Sequence, residues 1–141
     1  TGNIGHALYN YIRNAGSYVV PSRHFGTFVL GCHYEFESGV YRVKPWDGVG
    51  RMATLRQIGL MVNVSFGRIE EMLVSSRKNL LTMTVENPAD KAMKVTVFVS
   101  GLWGGKAESD GKVYEAANGL FTIPVKIPKR SSSTIFLKVI E

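Results

Sequence analysis

The sequence predicts an all-β fold, an antiparallel β-sandwich with one short N-terminal helix. Three observations lead there. After Pro21, apolar residues recur at every second position, as in Leu60, Val62 and Val64 or Leu81, Met83 and Val85. That period of two marks strands with one buried and one wet face. Turn residues punctuate the runs about every ten positions, the spacing of a sandwich. Finally, 141 residues with 45% hydrophobic content are enough for one core and amount to one domain.

The helix is expected over Gly5 to Asn14, where Leu8, Tyr11 and Ile12 fall at i, i+3 and i+4 on one face. Asn3 stands where a cap belongs, and Gly16 where a helix stops. A helix this short is not stable alone in water, so it must pack on something. An apolar run then covers Gly26 to Cys32, and Tyr34 to Phe36 and Val40 to Lys44 read as a hairpin about Ser38-Gly39. Further alternating strands are expected at 60–66, 81–86, 93–99, 121–127 and 134–139. Asn87 to Lys91 reads as a turn in which Asn87 and Asp90 bond local backbone, and Pro128 to Ser133 as another. Gly101 to Gly111 reads as a polar, glycine-rich loop holding Trp103. Pro124, inside an alternating run, places its strand at a sheet edge or at a bulge.

Composition excludes several functions. The apolar content is too high for a disordered tail. No apolar run reaches the roughly 18 residues that span a bilayer. Cys32 is the one cysteine, which excludes a disulfide framework and multi-cysteine metal sites. The net charge of +6 suggests a nucleic-acid partner at first sight. The bases are dispersed, however: residues 1–75 carry seven basic and five acidic groups, and residues 76–141 carry ten and six. Lys126, Lys129 and Arg130 have no aromatic neighbours to stack bases, so the expectation is a solvated face with neither nucleic acid nor membrane as partner. The chain begins at Thr1 without a signal-peptide pattern and reads as a processed or excised piece of something longer.

Candidate chemistry is sparse. Glu35 and Glu37 lie two apart on one strand, side by side about 7 Å apart. Glycosidase carboxylates face each other across a substrate from different elements, so this pair reads as a solvated strand face. Cys32 and His33 are neighbours on opposite faces of a strand, and neither His33 nor His24 has a third ligand at a metal-site spacing. No catalytic residue, metal site or cofactor is therefore expected. Gly48-Val49-Gly50 lacks the strand-to-helix setting of a phosphate loop. Asn63-Val64-Ser65 matches a glycosylation acceptor but falls in mid-strand. Trp46 and Trp103 both sit in loops beside glycines, with Asp47 and Asn118 as possible hydroxyl acceptors. An exposed Trp there can stack on the apolar face of a sugar; alternatively, each Trp caps one end of the sandwich or buries against a neighbouring domain. Trp46, Asp47 and Trp103 are the candidate ligand-binding residues.

The run Gly39-Val40-Tyr41-Arg42-Val43-Lys44-Pro45-Trp46-Asp47-Gly48, followed by Gln57-Ile58-Gly59-Leu60-Met61-Val62-Asn63-Val64, resembles the β-sandwich beside the α/α-barrel of large bacterial six-hairpin glycosidase-like proteins. In that setting His6 to Arg13 looks like the last helical turns leaving the barrel, and Tyr18-Val19-Val20 like the start of the sandwich. Residues 1–16 would then be the end of a preceding helical domain and 17–141 the sandwich. The resemblance implies an accessory, non-catalytic role in a carbohydrate-processing protein of the periplasm or cell exterior. Its partners would be the helical catalytic domain of the same parent chain and a polysaccharide. The alternative is a stand-alone carbohydrate-binding or adhesion module. A complete small hydrolase is disfavoured, because no acid and base pair is placed.

Overall fold

The period-two runs form strands, and their two faces divide as the alternation requires. The computed structural model describes residues 18–22, 26–30, 32–45 and 50–141. The helix expected over 5–14 lies outside the described residues. In chain order the strands are β1 (Tyr18–Ser22), β2 (Gly26–Leu30), β3 (Cys32–Glu37), β4 (Val40–Pro45), β5 (Met52–Leu55), β6 (Leu60–Val64), β7 (Arg68–Ser75), β8 (Leu80–Asn87), β9 (Met93–Ser100), β10 (Lys106–Ser109), β11 (Lys112–Glu115), β12 (Leu120–Ile127) and β13 (Ser131–Val139). A single 3-10 turn, Arg56–Ile58, joins β5 to β6.

All pairings are antiparallel. β1 and β2 form a hairpin of their own; the others make a seven-stranded sheet, β11-β10-β13-β8-β7-β4-β3, and a four-stranded sheet, β12-β9-β6-β5. Inward residues of both sheets meet in one core. Val43, Met72, Met83 and Leu137 come from the larger sheet, and Leu55, Val62, Val97 and Phe121 from the smaller. This is the layering of a β-sandwich.

Tight hairpin turns fix the register. Ser38-Gly39, Asp110-Gly111 and Asn118-Gly119 each take positive φ at both residues, the turn whose twist matches its strands. Gly101 is required for a different reason: a Cβ there would lie 1.9 Å from the Gly59 carbonyl oxygen.

Two expectations are corrected. The segment 101–111 is not a loop throughout, because Lys106–Ser109 pairs with both β11 and β13; only Ala107 and Ser109 point inward, too small to show in the pattern. The structure also adds strands where none is expected: β5 and β11, four residues each, and β7, whose alternation is broken by a bulge between Ile69 and Glu71. Pro124 lies on β12, an edge strand, as anticipated.

Candidate functional site

Trp103 and the chain on either side of Trp46 and Asp47 fall at two ends of the larger sheet. Trp103, in the loop between β9 and β10, is half-buried against the core. Its Nε1–H donates to Asn79 Oδ1 at 3.1 Å, and Asn79 occupies the turn between β7 and β8 with φ of 54°. The indole thus caps the sandwich end where β8 begins, with its polar atom engaged. Trp46 and Asp47 lie outside the described residues. The chain flanking them is held at the far end of β8: Pro45 closes β4, and the Gly50 carbonyl accepts the Ile69 N–H at 2.6 Å. A shallow cleft of about 290 Å³ opens there, lined by Lys44, Pro45, Gly50, Arg68 and Glu70. The eight residues of β8 put roughly 25 Å between the two ends. The structure therefore does not bring Trp103 together with the flanks of Trp46 and Asp47.

Glu35 and Glu37 share the outer face of β3 as expected. Glu35 is 71% exposed, 3.9 Å from His33 Nε2, and pairs across the ladder with Arg42. On the same face Glu71 Oε2 lies 3.8 Å from Arg42 and 3.9 Å from Lys44. These carboxylates form a solvated, charge-paired surface rather than an acid and base across a cleft. Asn63 sits on β6 between β5 and β9, half-buried, and Asn118 serves the turn before β12. Among the described residues, no group of three or more His, Cys, Asp or Glu converges to hold a metal ion, and no helix is long and apolar enough to cross a membrane.

Three features escaped the sequence reading. First, the thiol of Cys32, buried as the sequence suggests, faces β5 across one side of the sandwich. Its Sγ accepts the Thr54 N–H at 3.3 Å and lies 3.7 Å from the Met52 carbonyl. The thiol therefore covers two edge groups of β5. Second, among the described residues the opposite side of the sandwich is open, with a cleft of about 650 Å³ between β12, β13 and the β10–β11 hairpin. Third, the outward faces of the two sheets differ. The larger carries charge pairs besides Phe136, whereas the smaller turns Met52, Met61 and Phe98 outward at one end, all half-buried, and Lys94 and Lys126 at the other. A reading of strand existence alone does not show which side stays open among the described residues, or which face is apolar; that emerges only from strand order.

No curated protein and no solved structure matches the chain. A protein-family model does match, over residues 1–133, so the chain belongs to that family, DUF5695, a family of unknown function.

Proposed function

We propose that the chain is a non-catalytic β-sandwich domain of a carbohydrate-processing protein, packing against a helical catalytic domain of the same parent in the periplasm or outside the cell. The outer face of the four-stranded sheet carries this reading. A sheet with one wet face places charged and polar residues outward, as the larger sheet does with Glu35, Arg42, Lys44 and Glu71. The smaller sheet instead aligns Met52, Asn63 and Phe98 across three strands, with Met61 in the adjacent row. Thr54 on that face is 1% exposed. The β5–β6 end of the sheet, with Phe98 of β9, is thus largely apolar on both faces and suited to being covered on both, while Lys94 and Lys126 keep the β12 side wet. The glycan context, and the choice of a helical barrel as the covering domain, rest on the resemblance of residues 39–48 and 57–64; Trp46, Asp47 and Trp103 would contribute to a glycan cleft only together with that barrel.

One observation favours the alternative, a stand-alone carbohydrate-binding module. Phe136 is 56% exposed on the outer face of β13, in register with Thr82 and one step from the Thr84–Thr134 hydroxyl pair. An aromatic ring beside hydroxyls on a flat face suits sugar stacking.

Glycan-array binding by the chain and by Trp46→Ala, Trp103→Ala and Phe136→Ala separates the two. The accessory reading predicts no specific binding by the isolated chain. Specific binding lost on any of the three substitutions makes it a recognition module and locates its site.

A further inference from the structure

The two sides of the sandwich are finished differently, and the hydrogen-bond parity of the strands shows what the open side offers. Val139 donates its N–H to Asn79 on the β8 side, and Ile140 donates to Lys106 on the β10 side. Odd-numbered residues of β13 therefore bond β8, and even-numbered ones point the other way. β10 occupies that other side only at Lys138 and Val139. The N–H and C=O groups of Ser132, Thr134 and Phe136 are left facing the open cleft, with no strand beside them among the described residues. An exposed row of this kind is a template for another strand.

The facing edge, β12, is blunted. Leu120 exchanges both its N–H and C=O with Ala117, so even-numbered residues of β12 point away from β9. Pro124 is one of these and presents no donor. Of the two edges in the cleft, only β13 can accept a strand over several residues. The remaining lining fixes the chemistry of the guest. Lys126 stands on β12 and Lys112 on the hairpin, opposed by Asp110, and Lys94 borders the adjoining hollow beside Pro124 and Lys126. Ser132 Oγ also donates to Glu70 at 2.9 Å. Lys94, Lys112 and Lys126 still outnumber Asp110 and Glu70, so the rim is net positive, and a second copy of this chain would bring the same lysines against it.

We infer that the free half of β13 is a strand-addition site for an extended polypeptide segment bearing acidic side chains. Main-chain bonds to Ser132, Thr134 and Phe136 supply the pairing, and Lys112 and Lys126 select the charge. This site is separate from the apolar face of the other sheet and does not depend on the accessory reading.

The test uses a short synthetic peptide of alternating valine and glutamate, a control with lysine for glutamate, and residue-resolved amide hydrogen exchange. In the free chain the amides of Ser132, Thr134 and Phe136 should exchange quickly and those of Ser133 and Ile135 slowly. The acidic peptide should slow the three fast amides saturably, and the lysine peptide should bind at least tenfold more weakly. Thr134→Pro removes one outward donor but no bond to β8, as Pro124 already does on β12, and should abolish peptide binding while the chain stays folded. Should that variant unfold, Lys112→Glu with Lys126→Glu provides the second arm and should invert the preference between peptides. Absence of saturable protection, equal binding of both peptides, or unchanged binding by Thr134→Pro would overturn the inference. So would protection of the same amides by concentrating the chain alone, which would make the edge a self-pairing interface.

Discussion

Asn87 shows how much one side chain can hold in place. It is fully buried, and its Oδ1 accepts the Ala89 N–H at 2.9 Å. That local bond is the turn chemistry the sequence suggests for Asn-Pro. Its Nδ2 also reaches the carbonyls of Lys91, Ile127 and Pro128 at 3.0, 3.0 and 3.1 Å. The amide thereby ties the β8–β9 turn to the β12–β13 turn, beside the Arg130 N–H to Ala89 carbonyl bond and the Arg130–Asp90 ion pair. These longer connections bridge about forty residues of sequence, so no local pattern could disclose them. Asn87→Ala would take a donor from the buried Ile127 carbonyl and from two part-buried ones, and should cost about 2–3 kcal/mol in chemical denaturation. Asn87→Asp aims a carboxylate at carbonyl oxygens, which raises its pKa in the folded state. The acid form restores one donor, so this variant should gain stability as pH falls, opposite to the usual carboxylate trend. A flat pH profile for Asn87→Asp would contradict the assigned contacts.

Strands were legible where their alternation is uninterrupted and their inward residues are large. β6, β8, β9, β12 and β13 meet both conditions, with Leu60, Met83, Val97, Phe121 and Leu137 inward. β7 fails the first, because Glu70 at the bulge sets two acids side by side. β10 fails the second and is fixed instead by pairing and charge. Lys106 Nζ lies 3.1 Å from Glu141 Oε2 and 3.9 Å from Glu115 Oε1. The hydrogen bond to Glu141, then the charges of Glu141 and Glu115, hold the ammonium above its ordinary pKa of 10.5. A raised pKa on a cation adds stability that is fully present below the ordinary value and is lost as pH rises through the raised one. Melting temperature should therefore fall over that alkaline window in the native chain. Lys106→Met should weaken this part of the fall, and added salt should shrink the difference between the two proteins, since the pairs are exposed. An identical alkaline limb in both would mean that β10 is not held by these charges.

Among the described residues the molecule is a sandwich with one side closed by the Cys32 thiol, one side left open at β13, and an outer face on the smaller sheet that is apolar at its β5–β6 end and charged towards β12. Fold class and the hairpin at Ser38-Gly39 could be read from the sequence, because period-two patterning and turn chemistry are local. Face and edge exposure could not, since they follow from strand order: β5, β6 and β9 become neighbours only when the chain doubles back between them. The separation of Trp103 from Pro45 and Gly50 is likewise a consequence of topology. The apolar patch of Met52, Met61 and Phe98 on the outer face of the smaller sheet is the central claim, and the methionines report on it directly. Met52 and Met61 lie on that face, whereas Met72 and Met83 are fully buried in the core. Peroxide oxidation followed residue by residue should modify Met52 and Met61 in the isolated chain and spare Met72 and Met83. In the longest natural polypeptide containing this sequence, Met52 and Met61 should become protected. Equal oxidation of Met52 and Met61 in the two proteins would contradict a covered face and the accessory role built on it.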